Sequence, residues 1–112
     1  MKFRPTAVGY LRSDVSGLRQ AWDEDRIRER AQRLGYDFAK LVIADARSGR
    51  HLLAGLKTIT TRLDAEAIIV PSVRHFDGAT VPDDLVQVAD VITVDPEETY
   101  ARWAIRPPAG FR

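Results

Sequence analysis

Apolar runs alternate with amphipathic stretches along the chain, and this alternation predicts the main elements of the fold. Apolar residues recur at helical spacing over residues 17–34 and again over 51–63, which predicts two amphipathic helices. Gly35 follows the first of them, in the position of a C-terminal cap. Four short apolar runs predict β-strands, near residues 6–11, 40–45, 67–71 and 90–94.

The last part of the chain carries two acidic segments that each begin with proline, as the first turn of a helix often does. Pro82 to Asp84 predicts a short helix that carries Leu85. Pro96 to Glu98 predicts a last helix that continues to Trp103. We therefore expect one α/β domain over residues 6–95, and a short C-terminal helix and tail over residues 96–112.

The order of the predicted elements indicates the fold class. Strands and helices alternate, and the strands are continuous apolar runs, which is typical of a parallel sheet buried on both faces. We therefore predict a three-layer α/β fold with a mostly parallel, four-stranded sheet and helices on both faces. Ligands of such folds bind at the carboxyl ends of the strands, where three polar loops fall, at residues 12–16, 45–50 and 72–78.

Composition and charge narrow the classes of function. The chain has 112 residues, of which 45% are hydrophobic, enough for one core. Its 17 basic and 16 acidic residues provide no overall basic field for nucleic acid. The absence of cysteine excludes disulfides and thiolate chemistry, and neither a signal peptide nor an apolar span of about 18 residues is visible. We expect a cytoplasmic protein with no membrane partner.

Each of the three polar loops carries a short motif. The first reads GYLRSD over residues 9–14, the second DARSGR over residues 45–50, and the third RHFDG over residues 74–78. In this order and at this spacing they resemble motifs of the catalytic domain of serine recombinases of the resolvase and invertase type. The resemblance extends over roughly residues 6–95 and implies a resolvase-like fold.

The resemblance also implies a site for DNA strand transfer, in which a serine attacks a phosphodiester and arginines neutralise the charge that develops. Arg12 and Arg50 stand where two arginines of the family stand, and Arg74 with His75 stands where the family has an Asp-Arg pair. The residues expected in one polar cleft at the strand ends are Arg12, Asp14, Asp45, Ser48, Arg50 and Arg74.

The catalytic set of the family is incomplete in this sequence. Asp14 occupies the position of the nucleophile, where a carboxylate repels phosphate and cannot form the phosphoserine link. Ser13 is one residue away, and a slip of one residue at a strand end points a side chain the other way. Ser16 reaches the site only if the loop rearranges. Gly78 replaces the second arginine of the third motif.

Three hypotheses follow. The first is a catalytically inactive, resolvase-like domain that acts as a binding or regulatory module. The second is an active DNA recombinase that uses Ser13 or Ser16 as a shifted nucleophile, with arginines at positions 12, 50 and 74. The third is a small α/β domain that binds a small anion at the same strand ends. In the structural alternative to all three, Arg12 and Arg50 are solvated loop residues paired with Asp14 or Asp45. The residues Ser13, Asp14 and Ser16 are then helix caps.

The sequence also bears on cofactors and partners. The glycines form no nucleotide-binding pattern, and His51 and His75 are isolated, so we expect no cofactor and no metal. The candidate partners are a second copy of the chain, DNA or another protein. Val91 to Trp103 offers apolar and aromatic residues where the dimerisation helix of the family would follow, and we expect self-association through this segment.

Overall fold

The structure is a computed structural model that describes residues 4–47 and 49–103, without the side chains of residues 49–51. The strands are β1 (Thr6–Arg12), β2 (Asp37–Ala44), β3 (Ala67–Val70), β4 (Asp90–Thr93) and β5 (Glu98–Tyr100). The α-helices are α1 (Ser13–Ser16), α2 (Gln20–Arg33), α3 (Gly49–Arg62) and α4 (Asp83–Val86). Short 3-10 turns lie at Gly17–Arg19, Val73–His75 and Asp77–Ala79. No helix in the described part of the chain is long and apolar enough to cross a membrane.

The five strands form one mostly parallel sheet in the order β2-β1-β3-β4-β5. β1 pairs in parallel with both β2 and β3, and β3 pairs in parallel with β4. The chain runs from β1 to one side of the sheet and later returns to the other side, so the topological switch point lies between β1 and β3. The predicted α/β class and the mostly parallel sheet are therefore confirmed.

The C-terminal segment corrects the prediction of a last helix. Residues Glu98–Tyr100 form β5, which pairs antiparallel with β4 and gives the sheet a fifth strand. The hydroxyl of Thr93 donates to the carbonyl of Pro96 and accepts the N–H of Glu98 at 3.2 Å, which holds the reversal. A short isolated helix is marginal, whereas the edge of β4 offers unpaired backbone groups, so strand pairing wins over the local helix signal.

Side chains of β1 alternate between two apolar clusters, as the two-residue period of a strand requires. Val8 and Tyr10 pack in a cluster with Leu56 of α3 and Leu85 of α4. Ala7 and Leu11 belong to the other cluster, which contains the α2 residues Ile27 and Ala31. The helix α2 therefore covers one set of strand side chains, and α3 and α4 cover the other.

Gly9, in the middle of β1, shows how closely α2 approaches the sheet. A Cβ atom at this position would lie 2.8 Å from Cγ2 of Ile27 and 2.9 Å from side-chain atoms of Leu41 and Phe38. Only a residue without a side chain fits there without displacing its neighbours. The glycine thereby fixes the position of α2, and with it the loop that follows β1.

The first residues of the segment predicted to mediate self-association are internal, whereas most of residues 95–103 are exposed. Val91 and Ile92 lie in β4 and are buried, because the strand is covered by both clusters. Trp103 remains 41% exposed. The apolar surface expected from this segment is therefore reduced to its last residues.

Candidate functional site

The polar loops after β1 and β3 meet at the carboxyl end of the sheet, beside the switch point where ligands of such folds bind. Two cavities open there. The first cavity, of about 130 Å³, is lined by Arg12, Asp45 and Asp77 among others. The second cavity, of about 140 Å³, is lined mainly by residues of α2 and of the loops after β3 and β4. His75 lines both cavities.

His75 connects the loop after β3 to the end of β1. Its ring is almost fully buried, and Nδ1 accepts the backbone N–H of Arg12 at 2.9 Å. The neutral imidazole therefore carries its proton on Nε2. Burial lowers the pKa of His75, and the charges of Arg12 and Arg74 lower it further against the opposing effect of nearby aspartates. The ring is thus held neutral between the two cavities.

The side chain of Arg12 is occupied by two carboxylates. Its Nε and Nη2 donate to the two carboxylate oxygens of Asp14, at 3.2 and 2.7 Å, which is a bidentate pair. Its Nη1 donates to Asp77 Oδ1 at 3.2 Å. The hydrogen bonds to Arg12 lower the pKa of the Asp14 carboxyl, and those to Asp14 raise the pKa of the guanidinium. All three nitrogens of the group therefore already have an anionic partner.

The electrostatics of the first cavity consequently oppose a phosphate. Its described lining carries the single arginine Arg12 against the carboxylates of Asp45 and Asp77. Asp14 adds a further negative charge to Arg12 from outside the lining. An anion that enters would meet these carboxylates, which already neutralise the charge of the guanidinium.

The two candidate nucleophiles hold different positions. The hydroxyl of Ser13 donates to the carbonyl of Ala44 at 3.0 Å and ties the end of β1 to the end of β2. The buried hydroxyl of Ser16 donates to Oδ2 of Asp23 at 2.7 Å and lines the second cavity. Neither α1 nor the 3-10 turn after it has a side-chain cap. Ser16 is by position the N-cap of the 3-10 turn, but neither serine nor Asp14 makes a side-chain cap hydrogen bond there.

The second cavity contains two arginines for which the sequence predicts no site, Arg19 and Arg26. Arg19 and Arg26 lie over the ring of Trp22, with guanidinium carbons 4.6 and 5.0 Å from its centroid. Arg74 lines the same cavity. The spacing of Trp22, three residues after Arg19 and four before Arg26, is the signal that could have indicated this cluster, because such residues are neighbours on a helix.

The predicted cleft is thus divided by the structure. Arg12 and Asp45 line the first cavity, and Asp14 is bonded to Arg12. Arg74 lines the second cavity and is absent from the described lining of the first. Ser48 lies outside the described residues, and so does the side chain of Arg50. Among the described residues, no group of three or more histidines and carboxylates could hold a metal ion.

Comparison with known proteins adds no independent support for a family. No family model, curated protein or solved structure matches the chain. The similarity to serine recombinases therefore depends on the three motifs and their order alone.

Proposed function

We propose that the chain is a resolvase-like, three-layer α/β domain that lacks strand-transfer chemistry and acts by binding, as a regulatory or interaction module. The observation that carries this proposal is the bidentate pair between Arg12 and Asp14. The resemblance assigns Arg12 to the phosphate and assigns the position of Asp14 to the nucleophile. These two groups neutralise each other instead.

The pair argues against catalysis in two ways. A guanidinium that is bonded to the carboxylates of Asp14 and Asp77 has little positive field left for a pentacoordinate phosphorus. A carboxylate at position 14 also cannot form the phosphoserine intermediate, so the covalent path is missing. Ser13 does not replace it, because its hydroxyl is held by the Ala44 carbonyl.

A test of this proposal is a cleavage assay on supercoiled plasmid DNA, in which denaturing gels trap any covalent protein–DNA adduct. We expect no adduct from the wild-type chain. We also expect that Asp14→Ser alone does not create full activity, because Gly78 still stands in place of an arginine. An adduct that disappears in Ser13→Ala or Ser16→Ala would overturn the proposal.

The binding part of the proposal has its own measurement. A resolvase-like module has DNA, a second copy of itself or another protein as candidate partners. Retention of a DNA fragment at low salt, with release as salt rises, would indicate DNA as the partner. Sedimentation over a range of concentrations would detect self-association, which we expect to be weak because Val91 and Ile92 are buried.

One observation favours a second candidate function, an active recombinase that uses Ser16. Ser16 and Asp23 are within hydrogen-bonding distance, as a nucleophile and its general base must be, and both line the cavity that contains Arg74. In such a reaction Ser16 Oγ would bond to phosphorus, Asp23 would take its proton, and a deoxyribose oxygen would leave. The adduct assay with Ser16→Ala separates this candidate from the first.

A further inference from the structure

The lining of the second cavity is richer in arginine than that of the first. Three arginines line it, Arg19, Arg26 and Arg74, together with the carboxylates of Asp23 and Asp95. Asp23 accepts the hydroxyl of Ser16. Among the described lining, positive charge therefore exceeds negative charge, the opposite of the balance in the first cavity.

The three arginines differ in the ion pairs and hydrogen bonds that their guanidiniums form. Arg26 is paired with Glu29 at 2.8 Å through Nη2. Arg19 and Arg74 form no ion pair and no side-chain hydrogen bond with the described residues, although Arg19 lies over Trp22. The second cavity therefore has two guanidiniums that are available to an external anion.

A second observation, independent of charge, also indicates a missing acceptor. Nε of Arg26 is buried and has no hydrogen-bond partner within the described part of the chain. A buried donor without a partner is costly, and an ion bound nearby is one explanation of such a group. The hydroxyl of Ser72 accepts the backbone N–H of Arg74 at 3.3 Å, so its own hydrogen remains free to donate to a ligand in the cavity.

We propose that the second cavity binds a phosphate group, as the dianion of a phosphomonoester, between the guanidiniums of Arg19 and Arg74. Two available cations match the charge of about −2 that a phosphomonoester carries near neutral pH. The hydroxyl of Ser72 supplies a further donor. A phosphate has three terminal oxygens to accept these donors, whereas a carboxylate has two.

Trp22 has a positioning role in this site. Its ring lies under the guanidiniums of both Arg19 and Arg26, so it restricts these side chains before a ligand arrives. Restriction of this kind reduces the entropy that binding would otherwise cost. The arginines that lie over the ring are thereby held near the cavity, where they can contact a phosphate.

The site differs from the anion site that the sequence predicts. The predicted site places the anion beside Arg12, Arg50 and Arg74. The site proposed here shares only Arg74 with it and combines that residue with Arg19, from the turn before α2. The inference goes beyond the proposed function and does not depend on the recombinase resemblance. Equilibrium phosphate binding and DNA cleavage are separate measurements, so either conclusion can fail alone.

The test is isothermal titration calorimetry of the full chain with inorganic phosphate, methyl phosphate and dimethyl phosphate at pH 7.5. We expect inorganic phosphate and methyl phosphate to bind, and dimethyl phosphate, which carries one negative charge, to bind at least tenfold more weakly. Arg19→Gln and Arg74→Gln should each weaken methyl phosphate binding at least tenfold. Arg62→Gln, which removes the same charge from an exposed position on α3, should leave it unchanged.

Both test residues are exposed, so the variants should fold, and circular dichroism checks this. Absence of any binding by the wild-type chain would overturn the proposal. Equal affinities of Arg19→Gln, Arg74→Gln and wild type would overturn the location of the site. Equal affinities for methyl and dimethyl phosphate would overturn the selectivity for a dianion.

Discussion

The two cavities at the carboxyl end of the sheet share His75 but use their arginines in opposite ways. In the first, Arg12 comes from a motif similar to that of an enzyme family, yet its three nitrogens are bonded to Asp14 and Asp77. In the second, Arg19 and Arg74 belong to no complete motif and have no carboxylate partner among the described residues. The comparison shows that a motif alone does not make an arginine an anion ligand, because neighbouring carboxylates can neutralise its guanidinium.

The largest expected effect on stability comes from substitution of His75, which is buried and lines both cavities. His75→Ala removes a buried ring and leaves the backbone N–H of Arg12 without its acceptor, so we expect a loss of about 3 kcal/mol in the free energy of unfolding. Urea denaturation measures it. His75→Gln, which retains an acceptor, should lose less. Equal losses in the two variants would show that the hydrogen bond from the Arg12 N–H to the His75 side chain does not contribute to stability.

Removal of the hydroxyl of Ser13 and of Ser16 should lower the free energy of unfolding by different amounts, because their hydrogen-bond partners differ. Ser16→Ala leaves Asp23 without a hydrogen bond to a charged group, so we expect a cost of about 2 kcal/mol. Ser13→Ala removes a bond between neutral groups, and we expect about 1 kcal/mol. Urea denaturation of both variants gives the ranking. A larger loss for Ser13→Ala would contradict the view that Ser16 has the stronger interaction.

Removal of the carboxylates that hold Arg12 should make the first cavity resemble the second. In the double variant Asp14→Asn with Asp77→Asn, we expect a second phosphate-binding event in calorimetry, with an affinity gain of at least tenfold at this site, or about 1.4 kcal/mol. The control is Asp83→Asn with Asp84→Asn, which removes two exposed carboxylates from α4. If both double variants bind phosphate like the wild type, then Asp14 and Asp77 do not prevent Arg12 from binding an anion.

The smallest expected effect is a dependence of stability on pH. Because burial lowers the pKa of His75 in the folded state, the unfolded chain takes up protons first as the pH falls below about 6.5. Stability should therefore be complete above this pH and should decrease as the pH falls through the lower, folded pKa. The slope should be weaker in His75→Gln and should persist in His51→Gln. The same slope in all three proteins would exclude His75 as its source.

Local sequence patterns were sufficient for most of the fold but not for β5. The apolar runs predict β1 to β4, and helical periodicity predicts α2 and α3, because each pattern lies within its own element. The segment after Pro96 has a local helix signal, but its structure depends on the free edge of β4. Edge pairing is a contact between segments, which a local pattern does not contain.

The candidate site was less predictable because its decisive contacts are distant along the chain. The motif locates Arg12 at the end of β1, but its partner Asp77 is 65 residues away. The sequence shows His75 only as an isolated histidine of the third motif, whereas the structure buries it between the two cavities. The cluster of Arg19 and Arg26 was not predicted, since nothing local shows that the loop after β3 completes a cavity beside them.

The measurement that tests the central comparison most directly is the affinity for methyl phosphate of two matched variants, Arg12→Gln and Arg74→Gln. Each removes one guanidinium whose charge acts on His75, and each changes the lining of one cavity and not of the other. We predict that Arg12→Gln binds within about twofold of wild type, since Arg12 is already neutralised, and that Arg74→Gln binds at least tenfold more weakly. The reverse ranking would contradict the account, because it would show that the motif arginine, and not the second cavity, holds the phosphate.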